Sequence, residues 1–198
     1  MKIICVANNY GQIETENQRP SIYIKPDSTL LKDGRPFFIP SCTGTVGYGV
    51  ELVVKISRLG KCIAERFAHR YYDMVTVGVG LTALDLFEEA KSQGQPWTIS
   101  KAFDGSAVIG QWVNLQELTD TKNIPFRLEV DGQPVQGGQS ADMLHTVDQV
   151  IAYISQFMTL KIGDIIFMGA PVSGGTLAID QHMTGWLDNQ RLLDFKIK

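Results

Sequence analysis

Cysteine is scarce in this chain of 198 residues, and Cys5, Cys42 and Cys62 are odd in number and scattered. That argues against a disulfide framework or a thiolate zinc site and points to free thiols in a reducing compartment. His69, His145 and His182 lie far apart and share no metal-ligand spacing. No apolar run approaches the ~20 residues that a membrane helix needs. The N-terminal Ile3–Ala7 run is too short for a signal-peptide core and reads as a first strand, so the expected location is the cytoplasm. Charge of one sign is also lacking. A formal net charge of −3 gives no electrostatic reason to seek nucleic acid or an anionic membrane. Ser41, Ser106 and Ser173 lack a nucleophile-elbow setting, which disfavours a serine hydrolase. Gly78 and Gly80 form a Gly-x-Gly pair, but the rest of a dinucleotide fingerprint is missing.

What is present suits a soluble globular protein: 44% hydrophobic and 20% charged residues, with length enough for one full core. A single domain over 1–198 is expected, with the polar stretch 8–20 as a loop or lid. Strands are expected at Ile3–Ala7, Ser21–Lys25, Phe37–Pro40, Tyr48–Ile56 and Met74–Val79, then at Ile165–Gly169, Thr176–Ile179 and Leu192–Ile197. Asp131-Gly132 between Phe126–Val130 and Gln133–Gln136 is a hairpin signal. Helical spacing appears over Ala64–Tyr72 and Thr82–Lys91. Thr146 with Gln149 forms a capping-box pattern ahead of a third helix, with Val147, Val150, Ile151, Ile154 and Met158 on one face. Strands dominate and do not alternate regularly with helices, which predicts an α+β protein built on a mixed β-roll or barrel-like sheet with a few flanking helices.

The stretch Tyr48–Ile56 carries the most chemical information. Positions 49 and 51 of a strand point to the same side, where two carboxylates would grip a hard cation such as Mg²⁺ or Ca²⁺. Glu51 is present, and position 49 is glycine. The strand sits in an ordered series of segments: Lys25-Pro26-Asp27-Ser28, Pro36–Pro40, Thr76–Leu86, Pro96–Asp104, Ser140–Met143, Ile151–Gln156 and Gly163–Pro171. In this series the chain resembles the fumarylacetoacetate hydrolase superfamily, in particular its single-domain isomerase-like and acylpyruvate hydrolase-like members. The resemblance implies a β-roll domain, a homodimer and chemistry on small 2-oxo or β-dicarbonyl acids: C–C hydrolysis, decarboxylation, hydration or isomerisation. It implies a divalent ion, Mg²⁺ or Mn²⁺, that chelates the substrate and stabilises an enolate-like charge.

The carry-over is incomplete. The first metal glutamate of such proteins falls on Gly49, the second on Glu51, and the aspartate on Gly80. The lid histidine falls on Ile13 and its glutamate partner on Glu16. The arginine falls on Leu84 beside the retained Asp85, a glutamine on Phe87, the lysine on Lys101 and a threonine on Ala170. Glu51 is thus the expected metal position, and Lys101 and Glu16 are the expected catalytic positions. Any Mg²⁺ or Mn²⁺ should be held weakly or not at all. Glu14, Asp73 and Glu88 are candidates for a compensating carboxylate. The plainer readings are a solvated Glu51, a Lys101 paired with Asp104 or Asp85, and an Asp85 that caps its helix. Three functions compete: an impaired member that binds a small oxo acid, an active hydrolase or isomerase using Glu51 and Lys101, and a non-catalytic partner subunit.

Overall fold

The computed structural model describes residues 1–11 and 18–198. Among the described residues twelve strands run in chain order: β1 Ile3–Ala7, β2 Ser21–Lys25, β3 Leu30–Leu31, β4 Val46–Ile56, β5 Tyr72–Ala83, β6 Ala107–Ile109, β7 Val113–Asn114, β8 Pro125–Val130, β9 Gln133–Gln139, β10 Ile165–Phe167, β11 His182–Leu187 and β12 Gln190–Lys196. The α-helices are α1 Glu65–Ala68, α2 Leu84–Ser92, α3 Thr98–Lys101 and α4 Val147–Phe157. The large sheet has the order β2-β1-β10-β4-β5-β6-β3, with β7 also on β5. A second sheet has the order β12-β11-β8-β9. The expected α+β architecture, a curled mixed sheet with few helices, is what the chain adopts.

The long β4–β5 ladder is the backbone of the site. Its β-branched runs favour extended chain, and both strands are buried along most of their length. Val50, Leu52 and Val54 point into the main core, which also holds Leu128, Met183 and Phe195 from the second sheet and Ile151 and Ile154 from α4. The opposite face carries a smaller cluster of Ile3, Cys5, Val53 and Phe167, with Tyr23 packed against it. Because side chains alternate, Gly49 and Glu51 share this second face.

Local signals hold well. The hairpin turns at Asp131 and Gly132, both at positive φ (51° and 77°), as a two-residue primed turn requires. The Thr146–Gln149 capping box forms, and α4 buries Val150, Ile151 and Ile154. Other expectations are corrected. The helix expected over Ala64–Tyr72 is one turn, α1, because Tyr72 is drawn into β5 opposite Ile56. Phe37–Pro40 forms only a bridge from Phe37 to Ile197, and Thr176–Ile179 only one from Thr176 to Gly47. The strand near the C-terminus that pairs both β8 and β12 is instead β11. Gly78 and Gly80 lie inside β5, so they form no phosphate loop. Of the expected lid 8–20, residues 12–17, with Ile13 and Glu16, lie outside the described residues. No described helix is long and apolar enough to cross a membrane.

Candidate active-site cavity

A cavity of about 420 Å³ opens over the second face of β4 and β5. Its walls include Tyr10, Tyr23, Gly49, Glu51, Gly80, Thr82, Leu84, Phe87, Lys101 and the loop from Gly169 to Gly174. The ladder places Gly49 opposite Gly80 and Glu51 opposite Gly78. The three positions that the family resemblance marks for metal carboxylates are therefore brought together on one face. Only one of them carries a side chain.

Glu51 is 6% exposed and accepts a hydrogen bond from the Gly169 N–H at 2.7 Å. Gly169 has φ 91°, and a Cβ there would meet the Val6 carbonyl at 3.0 Å and Asn9 Cβ at 3.1 Å, so this position favours glycine. Asn9 fastens the same corner: its amide donates to the Met168 and His145 carbonyls, and its carbonyl accepts from the His145 N–H. Burial pushes the Glu51 carboxyl up to about 7, against the opposing pull of the Gly169 N–H and the charges of Lys25 and Lys101.

Two lysines face this single carboxyl. Lys25 is 1% exposed, and its ammonium donates to the Ser106 carbonyl at 2.6 Å, the Ser106 hydroxyl at 3.3 Å and the Leu81 carbonyl at 3.4 Å. Burial is the main reason that its pKa falls to about 8. Lys101 lines the cavity. Its Nζ donates to Thr82 Oγ1 at 3.1 Å and sits 4.5 Å from the centre of the Phe87 ring. It makes no ion pair with Asp104 or Asp85, which corrects that plainer reading. Asp85 is exposed and anchors the preceding loop, accepting from the Thr43 hydroxyl and, at 2.7 Å, from the Gly44 N–H. These bonds hold its carboxyl below the usual range, the Thr43 hydroxyl contributing most. Asp85 lies in the first turn of α2, where its carboxylate suits the helix dipole and accepts from the Leu86 N–H at 2.9 Å, while the N-cap residue Ala83 offers no side-chain cap.

The residues present do not fit a tightly held divalent ion. Mg²⁺ takes six oxygen ligands and Ca²⁺ about six to eight. Among the described residues no cluster of three or more acidic, histidine or cysteine side chains exists. Asp73 and Glu88 do not line the cavity, and Glu14 lies outside the described residues. A Cβ on Gly49 would meet Ala170 Cβ at 2.8 Å, and one on Gly80 would meet Glu51 Oε1 at 2.5 Å. The Ala170 methyl group thus crowds the space beside Gly49, and the movable end of the Glu51 side chain fills that beside Gly80.

Sequence reasoning missed Lys25 and Tyr10 as members of this site. The sequence places Lys25 at the end of the Ser21–Lys25 strand and in the Lys25-Pro26-Asp27-Ser28 segment, with nothing that marks it for a site. Tyr10 lies in a polar stretch with no pattern, yet the residue lines the cavity, with its hydroxyl enclosed and without a hydrogen-bond partner among the described residues.

Glu51→Gln should expose the cost of the buried acid. The folded-state pKa lies above the ordinary 4.5, so the native state binds more protons between pH 4.5 and 7 and loses stability as pH rises through that window. The charge of Glu51 then costs at most about 3 kcal/mol, at ~1.4 kcal/mol per pH unit. The glutamine carbonyl can still accept from Gly169. The variant should therefore match the parent at pH 4 and exceed it at pH 8 in urea unfolding. Equal or lower stability at pH 8 would show that Lys25 and Lys101 fully compensate the anion.

The family described as "Fumarylacetoacetate (FAA) hydrolase C-terminal" matches residues 2–197. The chain is 34% identical over 197 residues to oxaloacetate tautomerase YcgM of Escherichia coli, covering 96% of this chain and 90% of that protein. It is 28% identical to the mitochondrial oxaloacetate tautomerase FAHD1 of Bos taurus, covering 99% and 91%. Its structure matches the fumarylpyruvate hydrolase of Pseudomonas aeruginosa in complex with Mn²⁺ and pyruvate, with a TM-score of 0.91 and 27% identity, over 100% of this chain and 89% of that one.

Proposed function

This chain belongs to the fumarylacetoacetate hydrolase family, and within it we propose a protein that binds a small 2-oxo or dicarboxylic acid but no longer runs metal-dependent turnover. The observation that carries the reading is the cavity floor: Glu51 stands alone between Gly49 and Gly80, with Lys25 and Lys101 nearby. In family chemistry a cation offsets the negative charge of the substrate. Here two ammonium groups face one carboxyl that gains a proton near neutrality, so the cavity itself supplies positive charge suited to an acid.

Each side chain has a part in this reading. Lys101 attracts the ligand carboxylate from the cavity wall. Lys25 holds its charge behind the β5–β6 edge. Tyr10 forms part of the wall, its enclosed hydroxyl kept protonated by burial. Leu84, Phe87 and Ala170 make the rest of the cavity less polar than the resemblance implies, which lowers the number of anchoring groups for a large polar acid. The binding of pyruvate by the Pseudomonas hydrolase supports a small-acid ligand. A homodimer of one domain over 1–198 is part of the same proposal, and light scattering of the purified chain checks it.

Calorimetry with oxalate or pyruvate, in EDTA and then with Mn²⁺, tests the reading. Binding in EDTA that Mn²⁺ does not strengthen, with no turnover of oxaloacetate above a Glu51→Ala control, is the expected result. Tight binding that appears only with Mn²⁺, or turnover lost in Glu51→Ala, would instead show a surviving metal enzyme.

A further inference from the structure

We propose that Lys101 forms an imine with a small 2-oxo acid in this cavity, which activates the oxo carbon without a metal. The inference rests on the small-acid site proposed above and adds a covalent step to it.

The placement of Lys101 is the first ground. Its Nζ reaches the cavity wall with one hydrogen-bond partner, Thr82 Oγ1, and the Phe87 ring beneath it. No carboxylate among the described residues lies within ion-pair distance of it. A lysine amine becomes a nucleophile when an apolar setting and the lack of an anionic partner raise its uncharged fraction. Burial pulls the Lys101 amine below the usual lysine range, while Glu51, Cys5 and the Phe87 and Tyr23 rings act the other way. Leu84 and Phe87 stand where the family resemblance places an arginine and a glutamine, so the surroundings of the amine have turned apolar.

The second ground is the wall around the amine, where Tyr10, Tyr23 and Thr82 line the same cavity as Lys101 and leave room for a small acid. Lys25 is a poorer nucleophile despite its burial, because its ammonium is already bonded to the Ser106 and Leu81 carbonyls and does not line the cavity.

The step balances without an oxidant. The uncharged Nζ donates its lone pair to the oxo carbon, and the C=O π electrons move to oxygen. Proton transfer from nitrogen to oxygen gives a carbinolamine. The nitrogen lone pair then forms the C=N bond as the C–O bond breaks, and the hydroxyl leaves as water with the remaining nitrogen proton. The acid retains its carboxylate.

The test uses the full chain in EDTA with pyruvate and sodium borohydride, followed by intact-mass measurement and peptide mapping. The expected product carries one reduced pyruvyl group on Lys101. Oxalate, which has no oxo carbon of the required kind, should protect Lys101 from labelling in the unaltered chain. Lys101→Arg should lose the adduct, with its unfolding midpoint recorded alongside. No adduct on Lys101, label spread evenly over exposed lysines, or label unaffected by oxalate would each overturn the imine. Pyruvate binding without an adduct would overturn the imine and leave the small-acid site standing; neither binding nor adduct would remove both.

Discussion

Replacing Gly49 with glutamate, Gly80 with aspartate and Ala170 with glycine in one chain should create metal-dependent stability that the parent lacks. The ladder already sets positions 49, 51 and 80 on one face, with 49 directly opposite 80. Three carboxylates there offer oxygens enough for Mg²⁺ or Mn²⁺ with water completing the shell. The change at 170 is part of the design, because the Cβ of a glutamate introduced at position 49 would stand 2.8 Å from Ala170 Cβ and a short rigid side chain cannot swing aside. The clash at Gly80 is with Glu51 Oε1, the far end of a side chain that can rotate towards a metal. Without metal the triple variant should be less stable than the parent, since it crowds like charges and adds a flexible glycine. With metal at ~100 times its dissociation constant it should gain about 2.7 kcal/mol, on the order of 5–10 °C in unfolding midpoint for a chain of this size. The parent should show no shift. An equal shift in the parent would mean that Glu51 alone suffices, and no shift in the variant would mean that these three positions do not form a ligand set.

Lys25→Ala should be the most destabilising single change at the site. The side chain is fully enclosed, and its ammonium is the partner of the Ser106 and Leu81 carbonyls. Truncation removes the charged donor, leaving the Ser106 carbonyl with only the Leu81 N–H at 2.9 Å, and opens a cavity, together costing about 3–5 kcal/mol. That is a fall of roughly 6–20 °C in midpoint. Lys25→Met keeps most of the volume and should lose less, which separates packing from hydrogen bonding. The methionine variant also carries a pH signature. Lys25 titrates near 8 in the fold against 10.5 when free, so the native state binds fewer protons between those values and gains stability as pH rises. Lys25→Met should lack that rise. Glu51 and Lys101 are the charges bearing on it, while the Cys5 thiol, which burial pushes up to about 12, stays neutral over this range. A loss under 1 kcal/mol in Lys25→Ala would contradict the enclosed hydrogen-bonded ammonium, given the ~3–5 kcal/mol expected for truncation.

The contrast between α1 and the 126–139 hairpin shows why some elements were readable. Asp131-Gly132 satisfies its turn with two residues whose backbone geometry is set locally. The apolar spacing around Phe67 and Tyr71 looked equally local, yet Phe67 is 40% exposed and the chain from Tyr72 belongs to the ladder. Pairing with β4 outweighed a weak helical preference. The same competition explains β11, whose Gly185 packs so closely that a Cβ would meet Leu193 Cβ at 2.9 Å, a contact from a neighbouring strand.

Sequence by itself determined the long strand through Glu51 and the capped helix α4, which depend on residue identity at fixed spacing along the chain; it also shows glycine at 49 and 80, positions that, like Lys101, only the family resemblance marks for a site. Only the tertiary structure decided that Glu51 is buried against the Gly169 N–H, that Lys25 stands behind it, that Lys101 rests on Phe87 without an anion, and that Ala170 closes over Gly49. Each of these contacts joins segments far apart in sequence, and the charge state of a buried group follows from such neighbours and not from its own chemistry.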